Sequence, residues 1–103
     1  LLFKTYNKSM ELGYTTHCGQ VHSSDQFYNN LPKEVFENLR KYGVLCVEME
    51  SYGLFMTARK YSKKGLGIFT ISDSLIEDVS DSAENREKSY TNMMKLALEV
   101  VGE

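Results

Sequence analysis

Four consecutive apolar residues, Val44-Leu45-Cys46-Val47, run without a break into Glu48-Met49-Glu50. An unbroken apolar strand suits a sheet covered on both faces, because a strand with one wet face alternates apolar and polar residues. The stretch from Gly67 to Ser72 repeats the pattern, and Thr70-Ile71-Ser72-Asp73 again finishes on a carboxylate. Buried strands separated by helices confine a chain to layered α/β architectures. In such folds ligands bind outside the carboxyl ends of the strands. Glu50 and Asp73 are therefore the first candidates for a site with two acidic groups.

The flanking segments supply the helices. Leu2, Tyr6 and Met10 fall at i, i+4 and i+8, which predicts an amphipathic helix over residues 1–12, closed by Gly13. A start partway through such a helix is expected of a fragment of something larger. Tyr14 to His22 is rich in β-branched and aromatic residues and reads as a strand. Ser23-Ser24-Asp25 then opens a loop. Pro32 suits the first turn of a helix that sets Val35, Phe36, Leu39 and Tyr42 on one face and stops at Gly43. A further helix is predicted over 49–62, ended by Lys63-Lys64-Gly65. After a polar loop from Ser74 to Ser82, Asp81 and Glu84 have capping-box spacing. They introduce a last helix over about 83–101 that buries Tyr90, Met93, Met94, Ala97 and Val101. The order α-β-α-β-α-β-α describes one domain over residues 1–103, expected to be a partial one.

Composition narrows the function classes. The chain has 103 residues and a net charge of −2, which offers nucleic acid or an anionic membrane no electrostatic attraction. No apolar run approaches the ~20 residues that span a bilayer. Lys4 and Lys8 flank no apolar core of a signal peptide, so a cytoplasmic location is expected. Cys18 and Cys46 lie in apolar sequence and are expected as small buried hydrophobes in a reducing compartment. Neither has a second Cys or His at ligand spacing, so no metal is expected. His17 and His22 are read as structural. On local grounds alone, a Ser-Asp pair after a strand also serves as a turn or helix cap. Glu48 and Glu50 equally suit the start of a helix.

The order of five stretches goes further. They are His17-Cys18-Gly19-Gln20-Val21, Ser23-Ser24-Asp25-Gln26-Phe27-Tyr28, the run from Tyr42 to Glu50, Thr70-Ile71-Ser72-Asp73, and Arg86 followed by Asn92 to Glu99. Together they resemble the C-terminal part of the bacterial-type, hexameric purine nucleoside phosphorylases, over nearly the whole chain. The resemblance implies the C-terminal portion of a phosphorylase/hydrolase-like layered α/β sheet. It implies phosphorolysis of purine (deoxy)ribonucleosides to free base and (deoxy)ribose 1-phosphate, in purine salvage. Inorganic phosphate is then a co-substrate, with no cofactor, and the full-length family is a homo-oligomer, a hexamer.

By the same resemblance, Asp73 is the general acid that protonates N7 of the departing purine. A positioned acid contributes about 10²–10⁴-fold to such a step. Asp73 must then hold its proton when substrate binds, through burial or through the ligand. Arg86, thirteen residues further on, matches the arginine that promotes this proton transfer. Glu50 matches the residue that accepts hydrogen bonds from the ribose hydroxyls. Glu48 and Met49 match positions lining sugar and base, Phe27 an aromatic stacked on the purine, and Ser72 a residue that holds the base edge or orients Asp73.

Phosphorolysis also needs an anion site. The three arginines, Arg40, Arg59 and Arg86, stand in no Gly-rich phosphate loop, and Gly65-Leu66-Gly67 reads as a turn. In the family the phosphate loop lies in the N-terminal half. The expectation is therefore a chain that carries the base-and-ribose half of the site and is not an efficient phosphorylase alone. Three other readings stay open: a nucleosidase acting on methylthioadenosine or adenosylhomocysteine with water, a non-catalytic purine-binding remnant, and a subunit completed by a second chain.

Overall fold

The computed structural model describes residues 1–26, 31–74 and 82–102. Their elements are α1 (Leu2–Glu11), β1 (Gln20–Ser23), α2 (Lys33–Lys41), β2 (Val44–Glu48), α3 (Ser51–Lys60) and α4 (Ala83–Val101). They fall into two compact units. One holds β1, α2, β2 and α3, within Gly19–Gly65; the other holds α1, α4 and the segment Leu66–Ser74.

In the first unit β1 and β2 are parallel neighbours joined through α2, a β-α-β crossover. The register pairs Val21 with Cys46, His22 with Val47 and Ser23 with Glu48, after an irregularity between Gln20 and Val21. The Ser24 N–H donates to the Glu48 carbonyl at 2.8 Å, carrying the pairing one step past β1. Both strands therefore end at the same edge. α2 starts after Pro32, at φ −58° and ψ 147°, where a missing N–H breaks no intrahelical bond. Arg40 and Lys41 occupy its last turn, favourable at the negative end of the helix dipole. The chain then reverses through Gly43 at φ +88°, whose N–H donates to the Arg40 carbonyl at 3.0 Å. A side chain is disfavoured there, so glycine is what lets the helix pass directly into β2.

Several expectations are corrected here. β2 is not covered on both faces: Leu45 and Val47 remain 49% and 38% exposed while Val44, Cys46 and Glu48 are half-buried. α2 packs against β2, and its Val35, Phe36 and Leu39 are half-buried, but Tyr42 stays 81% exposed. The strand predicted over 14–22 is shorter, because residues 14–16 fold back on the end of α1. The Tyr14 N–H donates to the Ser9 carbonyl at 3.1 Å, and the Thr16 hydroxyl bonds Ser9 and the Tyr14 carbonyl. Cys18 is exposed and Cys46 half-buried, and both are free thiols.

In the second unit α1 packs on α4. The faces differ from those the periodicity suggests. On α1, Leu2 and Met10 are exposed and the buried residues are Thr5 and Ser9. Both are small, which permits close approach, and both hydroxyls are satisfied: Thr5 donates to the Leu1 carbonyl at 2.8 Å and Ser9 bonds Thr16. On α4, Leu96 and Val100 are buried and Met93 and Ala97 half-buried, whereas Tyr90 and Met94 are exposed and Val101 is 83% exposed. Burying a Leu or Val side chain stabilises by about 1.5–3 kcal/mol, so this stripe anchors the unit. The N-cap of α4 is Ser82 rather than Asp81, which lies outside the described residues. The Ser82 hydroxyl accepts from the Asn85 N–H at 3.1 Å.

The predicted strand from Gly67 to Ser72 is not one among the described residues; Asp73 alone makes an isolated bridge. A strand is defined by its ladder, and residues 67–72 have none. The Phe69 ring folds over Gly67, so a Cβ there would lie 2.5 Å from it. Thr70 ties the segment to α4 instead, its hydroxyl 3.4 Å from both the Ser89 carbonyl and Met93 Sδ.

Candidate active site

The common edge of β1 and β2 is organised by Glu48. Its Oε2 accepts from the Glu50 and Ser51 N–H groups, each at 2.7 Å, and its Oε1 accepts from the Ser51 hydroxyl. The Ser23 hydroxyl also donates to it. Ser23 Oγ in turn accepts from the Tyr52 N–H at 3.3 Å. The first N–H groups of a helix have no intrahelical partner, and a carboxylate beside them is doubly suited, as acceptor and as negative charge at the positive end of the dipole. Partial burial alone raises the Glu48 carboxyl. The bonds from Ser51, Glu50 and Ser23 outweigh it and hold the group below its ordinary value. Burial, and then the nearby Glu48 charge, push the Cys46 thiol up.

These bonds explain why α3 begins at Ser51 rather than at residue 49. Glu50 is the N-cap, with φ −119° and ψ −21°, and makes no side-chain capping bond. Met49 and Glu50 form the bend between β2 and α3, both exposed. Among the described residues the Glu50 carboxylate has no hydrogen bond or salt bridge. A shallow cavity of about 450 Å³ at this edge is lined by His22, Ser23, Ser24, Asp25, Met49, Tyr52 and Gly53. It sits where parallel strands deliver their carboxyl ends, the usual ligand position in α/β sheets. The Ser24 hydroxyl bonds the Gln26 backbone, its Oγ 3.2 Å from both N and O, and shapes the rim.

Ser72, Asp73 and Arg86 belong to the second unit. The Ser72 hydroxyl donates to Asp73 Oδ2 at 3.1 Å. Asp73 is exposed and Ser72 half-buried, so the described residues do not supply the burial expected of the acid. Arg86 is carried near the start of α4, one turn before Ser89, to which Thr70 binds. The structure thus brings Glu48, Met49 and Glu50 together in one unit, and Ser72 with Asp73 in the other. Phe27 lies outside the described residues. Arg40 and Arg59 stand exposed in the last turns of α2 and α3.

Ser23, Ser51 and Tyr52 were not expected at the site. The signal for Ser23 is that it closes the strand paired with β2. The signal for Ser51 is its position three residues after Glu48, within reach of a capping contact. No described helix is long and apolar enough to cross a membrane.

Comparison with known proteins adds to this geometry. Residues 2–102 match the Phosphorylase superfamily. The chain is 45% identical over 100 residues to the "Purine nucleoside phosphorylase DeoD-type" of Thermoanaerobacter sp. (strain X514), covering 97% of this chain and 42% of the relative. It is 45% identical over 102 residues to the protein of the same name from Streptococcus pyogenes serotype M5 (strain Manfredo), covering 98% and 43%. It is 47% identical over 102 residues to that of Streptococcus pneumoniae serotype 19F (strain G54), with the same coverage. The chain therefore spans about two fifths of the length of the curated relatives it matches.

Proposed function

Because the chain belongs to the Phosphorylase superfamily, we propose that it carries the base-and-ribose side of a purine nucleoside phosphorylase site. The observation that carries this reading is the Glu50 carboxylate, unbonded among the described residues and carried just past the carboxyl end of β2, next in sequence to Met49, which lines a cavity. An ionised carboxylate can accept from two neighbouring hydroxyls of a ribose. Those bonds tighten as the sugar gains oxocarbenium character. Met49 lines the same cavity and offers an adaptable apolar contact.

In the reaction, a phosphate oxygen forms a bond to C1′ while the C1′–N9 bond breaks. The bonding pair passes to the purine, and Asp73 gives its proton to N7. Ser72 orients the acid, Arg86 promotes the transfer and Phe27 stacks on the base. No redox step occurs, so the chemistry asks for no cofactor. Arg40 and Arg59 serve helix ends, so phosphate is held by other groups. We further read the assembly as a homo-oligomer and the compartment as the reducing cytoplasm that free Cys18 and Cys46 suit.

The test is release of hypoxanthine from inosine and calorimetric inosine binding, each with and without phosphate. Base release that depends on phosphate supports the phosphorylase; release indifferent to phosphate supports the nucleosidase; binding without release supports the purine-binding remnant. Absence of inosine binding overturns the reading.

A further inference from the structure

We infer that Glu48 is a positioning residue, which fixes the backbone that presents Glu50 and does not itself touch the sugar. The inference rests on the proposed nucleoside reading, and changes the part Glu48 plays in it.

Saturation is the first ground. A carboxylate has about four acceptor positions. In Glu48 four donors point at them: the Glu50 N–H, the Ser51 N–H, the Ser51 hydroxyl and the Ser23 hydroxyl. A ribose hydroxyl could reach Glu48 only by displacing one of these, and a displaced helix N–H would lose its partner. Glu50 is the opposite case, with its carboxylate unbonded among the described residues. The two acidic groups are therefore not a pair of equivalent ligands.

Connectivity is the second ground. Glu48 is the last residue of β2 and pairs with Ser23, the last of β1. It binds the Ser23 hydroxyl and the first residue of α3, while Ser23 accepts from Tyr52. Three elements are thus pinned at one carboxylate. Between the pins lie only Met49, which lines the cavity, and Glu50. A site residue is useful only if its supporting shell holds its backbone still.

The test uses the chain with inosine, 2′,3′-dideoxyinosine and hypoxanthine as calorimetric probes, and the amide protons of Glu50 and Ser51 as structural ones. Glu48→Ala is expected to weaken inosine binding by about tenfold. Affinity for the dideoxynucleoside and the free base should stay put, so hydroxyl discrimination falls toward that of Glu50→Gln. Glu48→Gln keeps a carbonyl acceptor for the two N–H groups and should retain most of the discrimination. In the ligand-free chain, Glu48→Ala should move the Glu50 and Ser51 amide protons. Ser51→Ala, a milder change, should move them less and in the same direction. Loss of discrimination in Glu48→Gln as complete as in Glu48→Ala would mean direct sugar contact and overturn the inference. So would unmoved amide protons, or full discrimination in Glu48→Ala. If the parent chain binds no inosine, the functional reading fails, and the amide protons alone decide whether Glu48 holds the Glu50 backbone.

Discussion

Ser51 is joined to Glu48 twice, its N–H donating to Oε2 at 2.7 Å and its hydroxyl to Oε1. A strand's last residue thereby caps the helix that follows it. Loss of a helix-capping acceptor costs about 1 kcal/mol. Glu48→Ala should therefore lower the unfolding free energy by about that amount, and Glu48→Gln by less. Urea denaturation followed by circular dichroism measures both, and equal stability of Glu48→Ala and parent would show that the cap contributes nothing.

The same bonds make stability depend on acid. The Glu48 carboxyl is held below its ordinary value of 4.5 in the folded chain. The unfolded chain thus binds this proton more readily, and stability rises with pH across the interval between the two values. The contribution is complete above the ordinary value and is lost as pH falls through the lower, folded one. The difference in stability between parent and Glu48→Gln should shrink over that window, as read from urea midpoints. A difference constant from neutral pH to below 4 would contradict the assignment to Glu48.

Cys46 should be the slower of the two thiols. Burial and then the charge of Glu48 push it up, which lowers the thiolate fraction near neutral pH. Cys18 is exposed. Mass spectrometry of iodoacetamide-treated chain should find Cys18 modified first. Glu48→Gln removes the charge and should quicken Cys46 while leaving Cys18 unchanged. Equal rates at the two thiols in the parent would refute this.

Gly43 tests the link between α2 and β2. It has φ +88° with open space around it, so an added Cβ meets backbone strain and no clash. Gly43→Ala should cost about 1 kcal/mol, and Gly43→Asn less, since Asn tolerates this conformation better. Thermal melts of the two variants make the comparison, with an unchanged Gly43→Ala midpoint as the contrary result.

What the sequence reveals follows from the range of each interaction. The run from Val44 to Glu50 is legible because a short apolar strand, its charged end and the next helix are all local. β2 and the helix after it stand where the pattern puts them, although that helix begins at Ser51, two residues later than predicted, which leaves Glu50 in the bend before it. The third strand is not legible, since pairing depends on a distant neighbour and Gly67–Ser72 has none among the described residues. Helix faces fail for a related reason. On α4 two adjacent stripes have helical spacing, and the stripe packed inward is Met93, Leu96, Ala97 and Val100. On α1 the packed residues are Thr5 and Ser9, chosen by size and internal hydrogen bonding rather than by hydropathy. The positioning role we infer for Glu48 is not legible in the sequence, because the donors that fill its acceptors come from β1 as well as from the adjoining turn.

The acid role we propose for Asp73 has a chemical signature of its own. Inosine releases its base as an anion unless N7 is protonated, so Asp73→Asn should slow phosphorolysis by about 10²–10⁴-fold. A nucleoside methylated at N7 already carries the positive charge that protonation would supply, and its base departs neutral. The same variant should therefore cleave 7-methylinosine at nearly the parent rate. Single-turnover reactions with excess chain and saturating phosphate bring slow cleavage within reach. Ser72, whose hydroxyl donates to Asp73 Oδ2 at 3.1 Å, provides the graded control. Ser72→Ala leaves the carboxyl in place and should slow inosine by a smaller factor while sparing 7-methylinosine. Equal losses on both nucleosides would show that Asp73 holds the substrate and does not protonate it, and the proton would then have to come from another group.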